Sequence, residues 1–512
     1  MLTLEEVRPG STPALGVVRE LFERLDEAGV RYCHFKSNAF LDDGLGGRAD
    51  LDVLVVRRQA GRVAEAVAAA GFRRFRSAFL TSYPGVEDHL GLDPTTGRLV
   101  HLHLHYRLVV GARNLKGHEL QCADALLEGR VVAPDSGVFT SSPAHELFLL
   151  LVRSALKITL RDLVLDLFGR PPIRGRTRQE LEWLRARTSV EEVRAIAEHE
   201  LGPGAAARVP ALLAHVPSAK ALLAFRLSAR DALARCRRQS APEAAAVQLA
   251  ARAVGLFARL DRRLLHQPRP FRRTPHAGGL SIAFLGTHGA GKSTVTAEIV
   301  RWLGWKADVY PVYFGSGAGT SSLLRRPMKV VADWGPVRRL RRRQKEPSAA
   351  PAGASTDAAG RAWLPLARAV WALALALEKR SKLRRSLRAR RRGMIVICDR
   401  YPQVEVLGYN DAPLLGTWLA SPSPLRRTLA RFEYRIYERA VRMTPDLIIK
   451  LDVPPEVAAG RRPEETVDEL RRRREAVRRM RYGERCHYVE IDASAPVEEV
   501  LLAVKRAIWE RL

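Results

Sequence analysis

The sequence predicts an α/β protein in which a C-terminal domain with a parallel β-sheet follows an α+β region and a helical region. Between residues 280 and 512, short apolar segments alternate with helical patterns, as they do in parallel sheets with helical crossovers. Between about residues 143 and 265 the pattern is almost wholly helical, and Leu and Ala dominate it. Residues from about 13 to 135 mix the two patterns, which is typical of an α+β arrangement.

The chain is too long for a single hydrophobic core, because 512 residues exceed the usual size of one domain. We predict domains at residues 1–137, 138–265 and 280–512. Pro, Gly and Arg are frequent in HQPRPFRRTPHAGG, which predicts a linker at residues 266–279. The stretch KEPSAAPAGASTDAAGRA is small, polar and contains Pro and Gly, which predicts a flexible insertion at residues 345–362.

Hydrophobic periodicity assigns the main elements. In the first region it predicts helices at residues 16–28 and 60–71 and strands at residues 51–56 and 99–110. In the C-terminal domain it predicts strands at residues 280–285, 309–314, 394–398, 447–451 and 488–491.

Composition argues against several classes of protein. No apolar run reaches the roughly 18 residues that span a bilayer, and MLTLEEVRPG lacks the basic and then apolar segments of a signal peptide. We therefore expect a cytoplasmic protein without a membrane span. The 5 cysteines are scattered and form no C-x-x-C pair, which favours buried small side chains over a disulfide framework or a zinc site.

The formal net charge of +30 raises the question of nucleic acid. Arg greatly outnumbers Lys and Ala is abundant, which indicates a compositional bias of the coding DNA. No helix-turn-helix, zinc-finger or stacking-aromatic pattern accompanies the basic runs. We therefore do not expect nucleic-acid binding, whereas a positive potential suits a domain that handles polyphosphates.

A glycine-rich loop follows the first predicted strand of the C-terminal domain. SIAFLG runs into THGAGKS, and STVTAEIVRWL continues as a helix, which is the context of a phosphate-binding P-loop. Its glycines let the backbone turn its amides inward, the helix N-terminus attracts phosphate, Lys292 adds a charge, and Ser293 offers a hydroxyl to Mg²⁺. The predicted phosphate-binding residues are Gly286, Thr287, His288, Gly289, Ala290, Gly291, Lys292, Ser293 and Thr294.

An acidic residue ends a second buried strand. Residues 394–398 run into Asp399-Arg400-Tyr401, and a carboxylate at the carboxyl end of a strand beside a P-loop is suited to hold Mg²⁺. The alternative is that Asp399 caps the next turn and pairs with Arg400.

Arginines follow the strand at residues 447–451. The segment PPEVAAGRR carries Arg461 and Arg462, and further arginines stand at 471–474, 478 and 479. Phosphoryl transfer develops negative charge that mobile arginines can neutralise. We predict that at least one of these arginines acts in catalysis, although a solvated charged helix explains most of them equally well.

Together with the final segment YVEIDASAPVEEVLLAVKRAI, these motifs resemble thymidylate kinases over residues 280–512. The resemblance implies ATP and Mg²⁺ as cofactors and a nucleoside monophosphate such as dTMP as acceptor, with Arg400 orienting it. It further implies a substrate-facing arginine, for which Arg380 is a candidate, and a homodimer. The residues that it places near the adenine are Asp492, Ala493 and Ser494.

The resemblance is weaker on the acceptor side. YFGSGAGTSSLLRRP stands where thymidylate kinases carry Arg-Glu-Pro-Gly, and PQVEVLGYNDAPLL replaces their serine-rich run. Two alternatives therefore stay open. The first is a kinase for a sugar or another small molecule of surface-polysaccharide metabolism. The second is an ATP-binding switch with a non-catalytic front domain.

The N-terminal domain resembles nucleotidyltransferase-like domains through Lys36-Ser37-Asn38 and GGRADLDVLVV. Asp50 and Asp52 alternate onto one strand face, as two metal-binding carboxylates must. In VHLHLHYR, three histidines at spacing two share a face, and we predict a metal site of Asp50, Asp52 and His103. Transferase chemistry, contacts with phosphates and a purely structural role remain alternatives.

Overall fold

The computed structural model describes residues 14–78, 81–112, 114–264, 267–315, 358–407, 409 and 411–512. Within these residues the chain divides into two compact units between His276 and Ala277. The predicted mixed α/β class is confirmed, since strands that include parallel pairs alternate with many helices. The helical region belongs to the same unit as the α+β region, while the predicted boundaries at residues 137 and 265 stay predictions.

Unit 1, which ends at His276, is built on one large sheet. Its strands are β1 Tyr32–His34, β2 Asp50–Val55, β3 Arg73–Arg76, β4 Val86–Leu92, β5 Leu99–His105, β6 Leu108–Val110, β7 His118–Leu120, β8 Val131–Val132, β9 Phe139–Thr140 and β10 Thr274–Pro275. Eight of them form a sheet in the order β10-β3-β4-β5-β2-β1-β9-β8, in which β2 and β5 are parallel. Strands β6 and β7 form a separate antiparallel pair.

The helices of unit 1 cover both faces of this sheet. They are α1 Gly16–Glu27, α2 Leu41–Leu45, α3 Ala60–Ala69, α4 Ala123–Glu128, α5 Pro143–Lys157, α6 Leu160–Leu167, α7 Arg176–Arg185, α8 Val190–Leu201, α9 Pro203–Ala206, α10 Val209–Ala214, α11 Ala219–Ser228, α12 Arg230–Arg235 and α13 Ala241–Leu264, with 3₁₀ turns at Asn38–Phe40 and Arg57–Gln59. Because side chains alternate along a strand, Leu51 and Val53 of β2 share a core with α1 and α3, whereas Leu54 packs with α5. Asp50 and Asp52 therefore lie on the α5 face.

The strand predicted at residues 99–110 is wrong as a single element. It ends at His105, and Leu108–Val110 pairs with β7 in the small sheet. The reason is the length of the neighbouring strand. Strand β4 begins at Val86, which is the partner of His105. The residues before Val86 form a turn, and the oxygen of Gly85 in that turn accepts the last bond of the ladder, from Tyr106 N at 2.7 Å.

Unit 2 contains a parallel sheet of five strands. They are β11 Ser281–Gly286, β12 Val309–Tyr313, β13 Ile395–Asp399, β14 Leu447–Asp452 and β15 His487–Asp492, in the order β12-β13-β11-β14-β15. Each differs by one or two residues from the strand predicted there. Its helices are α14 Lys292–Gly304, α15 Ala358–Arg391, α16 Pro424–Arg442, α17 Pro455–Arg461, α18 Val467–Arg479 and α19 Val497–Arg511, with a 3₁₀ turn at Gly416–Ala420. Parallel pairing brings the carboxyl ends of all five strands to one edge.

The predicted linker and the predicted insertion both contain residues with regular secondary structure. Thr274–Pro275, inside the predicted linker, pairs with β3 and so belongs to the sheet of unit 1. Residues 345–357 of the predicted insertion lie outside the described residues, and α15 begins within that segment at Ala358. In the parts of the chain that the structure describes, no helix has the length and apolar composition needed to cross a bilayer.

A buried carboxylate ties α5 to the turn that precedes α2. Glu146 is fully buried and accepts hydrogen bonds from the backbone N (2.9 Å) and Nδ2 (2.6 Å) of Asn38. Burial, reinforced by the nearby charge of Glu180, raises the pKa of Glu146 from 4.5 to about 7. The folded state therefore binds this proton more tightly than the unfolded chain does.

We expect this carboxyl to make the stability of unit 1 depend on pH. Its contribution is fully present below pH 4.5 and is lost as the pH rises towards about 7, an effect on the order of 3 kcal/mol. The Glu146→Gln variant should lose most of this slope, whereas Glu182→Gln, at an exposed position of α7, should keep it. Urea unfolding between pH 4.5 and pH 7.5, read by hydrogen exchange of peptides from unit 1, measures both slopes. Equal slopes for wild type and Glu146→Gln would contradict the assignment.

Candidate functional site

The P-loop lies at the carboxyl edge of the parallel sheet, between β11 and α14. Gly289 has φ +78°, and a Cβ there would lie 2.9 Å from the carbonyl oxygen of Ala458, so only glycine fits. Gly291 has φ +74° and immediately precedes the first helical residue. Of the nine predicted phosphate-binding residues, Gly286 ends β11, and the other eight lie in this loop and in the first turn of α14. The arrangement directs a helix N-terminus towards the space above the loop.

Lys292 is buried within the loop, with 7% of its surface exposed. Its Nζ donates a hydrogen bond to the carbonyl oxygen of Thr287. Burial, followed by the positive charge of Arg400, lowers the pKa of Lys292 to about 8. Desolvation and repulsion from Arg400 therefore destabilise the charged ammonium of Lys292, and an anion bound in the loop would stabilise it.

Ser293 and Asp399 come together although 106 positions separate them in the sequence. The Ser293 hydroxyl donates to Asp399 Oδ2 at 3.1 Å. Asp399 Oδ1 is buried and, among the described residues, accepts no hydrogen bond. Oxygen atoms of a hydroxyl and a carboxylate with spare acceptor capacity are the ligands that Mg²⁺ prefers, so this pair fits the predicted magnesium site. In the described part of the chain Asp399 makes no ion pair with Arg400, so this part of the alternative interpretation is not observed, and the role of Asp399 in binding Mg²⁺ stays a prediction.

Arg400 follows Asp399 with φ +68°, a left-handed conformation that is costly for a side chain of this size. A backbone hydrogen bond from its N to the oxygen of Phe284 (3.1 Å) holds it at the end of β13. The guanidinium then extends towards His288 Nε2 (3.4 Å) and Asp411 Oδ2 (3.9 Å). This backbone turn therefore directs Arg400 to the P-loop.

A buried ion pair lies beside Arg400, and the sequence analysis missed it. Lys379 of α15 and Asp411 are 3.0 Å apart, with side chains 6% and 3% exposed. Arg380, the predicted substrate-facing arginine, instead lines a separate cavity of about 460 Å³ between α15 and α16. Helical periodicity offered a signal, because neighbouring residues of a helix point about 100° apart and only one of them can face the sheet edge.

The arginine-rich segment separates into different roles. Arg461 Nη1 donates to the carbonyl oxygens of Gly289 and Ala493, both at 3.1 Å, and so joins the P-loop to the loop after β15. Arg462 is exposed and pairs with Glu464 at 3.2 Å. In the structure as described, neither guanidinium forms a hydrogen bond with Lys292 or Ser293, so their predicted part in catalysis stays a prediction.

Arg473 of α18 is the arginine of this segment that contacts a P-loop side chain. Its Nη1 lies 3.0 Å from His288 Nδ1 and 3.7 Å from Glu465 Oε2, and its Nε bonds Glu469 at 3.0 Å. His288 also contacts Glu465 directly. The P-loop histidine thus links the phosphate-binding loop to α18.

Two other arginines of α18 bind the carboxylate at the end of β14. Arg474 makes a two-point ion pair with Asp452 (2.7 and 2.6 Å), and Arg478 adds a third bond to the same carboxylate at 2.9 Å. Hydrogen bonding from Arg474 lowers the pKa of Asp452. For these residues the structural interpretation is the better one.

The three residues predicted near the adenine form a tight turn after β15. Asp492 Oδ1 accepts from the backbone N (2.8 Å) and the hydroxyl (2.6 Å) of Ser494. The N of Ala493 donates to the carbonyl oxygen of Asp452 at 2.7 Å. This turn and the P-loop share Arg461 as a neighbour, which places it at the same edge of the sheet.

Unit 1 contains a second cluster, which is centred on the predicted metal ligands. Parallel pairing sets Asp50 opposite His101 and Asp52 opposite His103. The Asp50–His101 pair is 3.0 Å apart, and Asp52 Oδ1 lies 3.1 Å from His103 Nδ1 and 3.3 Å from His105 Nε2. The predicted alternation of acidic and histidine residues onto one face is therefore observed.

Asp88 of β4 completes this cluster, and the sequence analysis did not single it out. Its Oδ1 lies 2.9 Å from Nε2 of both His101 and His103. The register of β4 against β5 brings Asp88 into the cluster, because the two strands pair antiparallel and set Asp88 opposite His103. That register depends on strand pairing and could not be read from local sequence.

The cluster also contains cations of the chain itself. Lys36 Nζ lies 2.8 Å from Asp52, and Arg273 Nε lies 2.6 Å from Asp88. Although burial opposes ionisation, these cations and the histidines hold the pKa values of Asp52 and Asp88 well below their usual range. Both carboxylates are therefore ionised and already neutralised.

The histidines respond to the same charges in different ways. Burial alone would lower the pKa of His103, but its hydrogen bonds to Asp52 and Asp88 raise it. Burial lowers the pKa of His105 to about 4 and also lowers that of His101. Contacts with two carboxylates thus raise the pKa of His103, whereas burial dominates at His101 and His105 and lowers theirs.

The donor atoms of this cluster form two groups that are compact enough for a metal ion. One is Asp50, His101 and His103, and the other is Asp52, His103 and His105. Both contain His103, but neither contains both predicted aspartates. Lys36 occupies one side of Asp52. The predicted metal site of Asp50, Asp52 and His103 stays a prediction.

Two proteins of Escherichia coli strain K12 are similar to this chain, and no family model matches it. The chain is 29% identical over 232 residues to the "uncharacterized ATP-binding protein YghR", a match that covers 44% of this chain and 86% of that protein. It is 26% identical over 235 residues to the "uncharacterized ATP-binding protein YghS", which covers 45% of this chain and 93% of that protein. The similarity therefore extends over most of each relative and less than half of this chain.

We expect unit 2 to depend on the Lys379–Asp411 ion pair. Asp411→Asn keeps a residue that tolerates the φ of +62° there, but it leaves a buried ammonium unpaired and should destabilise unit 2 by about 3 kcal/mol. Urea unfolding read by hydrogen exchange of peptides from unit 2 measures this loss.

Two controls accompany this measurement. Adding Lys379→Met to Asp411→Asn removes the unpaired charge and should restore most of the stability. Glu438→Ala, which breaks an exposed pair with Arg442, should change stability by less than about 0.5 kcal/mol. An Asp411→Asn loss no larger than that of Glu438→Ala would show that the pair is unimportant.

Proposed function

We propose that unit 2 is an ATP-dependent phosphotransferase that uses Mg²⁺. The observation that carries the proposal is the joint position of a buried lysine, Lys292, and the Ser293–Asp399 pair at the carboxyl edge of one parallel sheet. YghR and YghS, two proteins similar to this chain, are named as ATP-binding proteins, which supports ATP as the proposed nucleotide. A P-loop alone would indicate only polyphosphate binding.

The donor side follows from the loop geometry. In the proposed complex, the amides of the loop and the N-terminus of α14 bind the β- and γ-phosphates of ATP, and Lys292 adds its charge to the same oxygens. Ser293 and Asp399 would hold Mg²⁺, which neutralises phosphate charge and orients the donor. The turn at Asp492–Ser494 lies at the same edge and is the proposed contact for the adenine.

The acceptor side favours a phosphate nucleophile. In such a transfer an oxygen of the acceptor phosphate bonds to the γ-phosphorus, the bond from that phosphorus to the bridging oxygen breaks, and ADP leaves without any proton transfer. A hydroxyl acceptor would instead require a base. Asp411, the carboxylate beside Arg400, is already paired with Lys379. We therefore propose a nucleoside monophosphate such as dTMP as acceptor, with Arg400 binding its phosphate.

Two alternative functions of unit 2 remain open. A sugar or another small molecule of surface-polysaccharide metabolism is the alternative acceptor, because the sequence departs from thymidylate kinases in its acceptor segments. The contacts that join His288 to Glu465 and Arg473 favour the second alternative, a nucleotide-dependent switch, since phosphate in the loop would disturb them. A switch predicts tight ATP binding with slow turnover.

The purified full chain should convert ATP and dTMP into ADP and dTDP when Mg²⁺ is present, and Lys292→Ala should lower this rate at least about 100-fold because the donor phosphates lose their cation. Arg301→Ala, on an exposed face of the same helix, should retain the rate. Chromatography of the nucleotides after incubation measures the products.

The same assay with other nucleoside monophosphates and with sugars separates the alternatives. Faster transfer to a sugar would replace the proposed acceptor. Tight ATP binding without transfer to any acceptor would favour the switch. A Lys292→Ala variant as active as wild type would contradict the proposal altogether.

We expect Arg473 to act in transfer more than in ATP binding. Its guanidinium is held beside the P-loop by His288 and Glu469, so Arg473→Ala should lower the transfer rate about 100-fold. The dissociation constant for ATP, measured by equilibrium dialysis, should change less than about threefold. Arg472→Ala removes a neighbouring exposed arginine and is the matched control. Equal losses in the two variants would indicate a general effect of charge.

A further inference from the structure

A large cavity opens on the face of unit 1 that carries the aspartates and histidines. Its volume is about 730 Å³, within the range of sites for small molecules. Its walls come from the α5 face of the sheet, the segments around β4 and β6, the C-terminus of α5, helix α13 and the residue before β10. None of the functions proposed for unit 2 uses this cavity.

The lining is rich in cations. The charged side chains that line it are Lys36, Lys116, Lys157, Arg252, Arg273 and Asp88. Arg273 is bound to Asp88 and Lys36 to Asp52. Among the described residues, Lys116, Lys157 and Arg252 make no ion pair. The cavity therefore has an excess of positive charge that the surrounding residues do not neutralise.

Burial and repulsion from neighbouring cations lower the pKa values of two lysines of the lining, Lys116 and Lys157. Burial, followed by the charges of Lys36, Lys157 and Arg153, lowers the pKa of Lys116 to about 8. Burial and the charges of Arg153 and Lys36 lower the pKa of Lys157. Bringing an anion into the cavity would offset both the desolvation and the repulsion.

The acidic cluster beneath the cavity does not oppose such an anion. Lys36 is paired with Asp52 and Arg273 with Asp88, and His103 lies between the two carboxylates, 3.1 Å from Asp52 and 2.9 Å from Asp88. A metal ion would have to displace these cations, whereas an anion needs no displacement. Neutral groups in the lining, which include Tyr83, Asn114, Thr159 and Gln248, can bond the remainder of a ligand.

We propose that this cavity binds a phosphorylated small molecule, whose phosphate group is held by Lys116, Lys157 and Arg252 above the neutralised aspartate–histidine cluster. A phosphate dianion matches several lysine and arginine donors at once. The volume accommodates a sugar phosphate or a nucleoside monophosphate. The site does not depend on ATP binding in unit 2, so either can fail without the other.

Acetylation of lysines on the full chain tests the site, with mass spectrometry reading each lysine separately. The probes, added at millimolar concentration, are inorganic pyrophosphate, glucose 6-phosphate and AMP. They should slow acetylation of Lys116 and Lys157 about fivefold or more, while Lys220, which is exposed on α11, should not change. Lys292 reports phosphate binding in unit 2 independently. The order of protection among the probes distinguishes a phosphate group alone from a sugar or nucleotide.

Calorimetry with pyrophosphate provides the second readout, with Lys292→Ala present in all samples to weaken binding in unit 2. Adding Lys116→Ala with Lys157→Ala should weaken the remaining binding at least about tenfold, and adding Lys220→Ala should not. Unchanged affinity in the double variant would overturn the proposal. So would unchanged acetylation of Lys116 and Lys157 with every phosphate probe, or protection by Mn²⁺ or Zn²⁺ alone.

Discussion

The parallel pairing of β11 with β13 is the interaction on which the candidate active site depends. It sets Phe284 opposite Asp399 in the hydrogen-bonded ladder, so that the P-loop leaves one strand where the acidic residue ends the next. A shift of the register by one residue would turn Asp399 to the other face of the sheet, away from Ser293. The pairing of β11 with β14, which sets Gly286 opposite Leu451, then brings the arginine-rich segment to the same edge.

The two units differ in whether their buried charged side chains have partners of opposite charge within the chain. In unit 2, and among the described residues, the buried Lys292 donates to a carbonyl oxygen but forms no ion pair, and Asp399 has an oxygen without a hydrogen bond. Both groups are arranged for something that the chain does not supply, which is typical of a binding site. In unit 1, Asp52 and Asp88 are satisfied by cations of the chain itself, whereas two lysines and an arginine of the cavity lining make no ion pair among the described residues. The charges of unit 1 therefore support the proposed anionic ligand, whereas the resemblance to nucleotidyltransferase-like domains stays a prediction from the sequence.

The local motifs could be predicted because their chemistry follows the chain. The P-loop, Asp399 and the five strands of unit 2 each depend on adjacent residues and on apolar periodicity, and the strands lie within two residues of their predicted bounds. The errors came where a partner distant in sequence decides. The strand from Leu99 ends early because its partner β4 begins at Val86, opposite His105, and a turn precedes Val86. The pairing of Lys379 with Asp411 was missed because packing of α15 sets the rotation of that helix, and the role predicted for Arg380 stays a prediction.

By itself, the sequence determined that unit 2 has a glycine-rich loop between a strand and a helix, a strand-end carboxylate and many arginines nearby, since these are properties of contiguous residues. Only the tertiary structure decided which arginine reaches the loop, because Arg461, Arg473 and Arg474 differ in what they contact and not in their local sequence. It likewise decided that Asp88, Lys36 and Arg273 surround the histidines of β5. The physical reason is the same in both units. The energy of a charge depends on which opposite charges and how much water lie within a few ångströms, and strands and helices far apart in sequence create that environment.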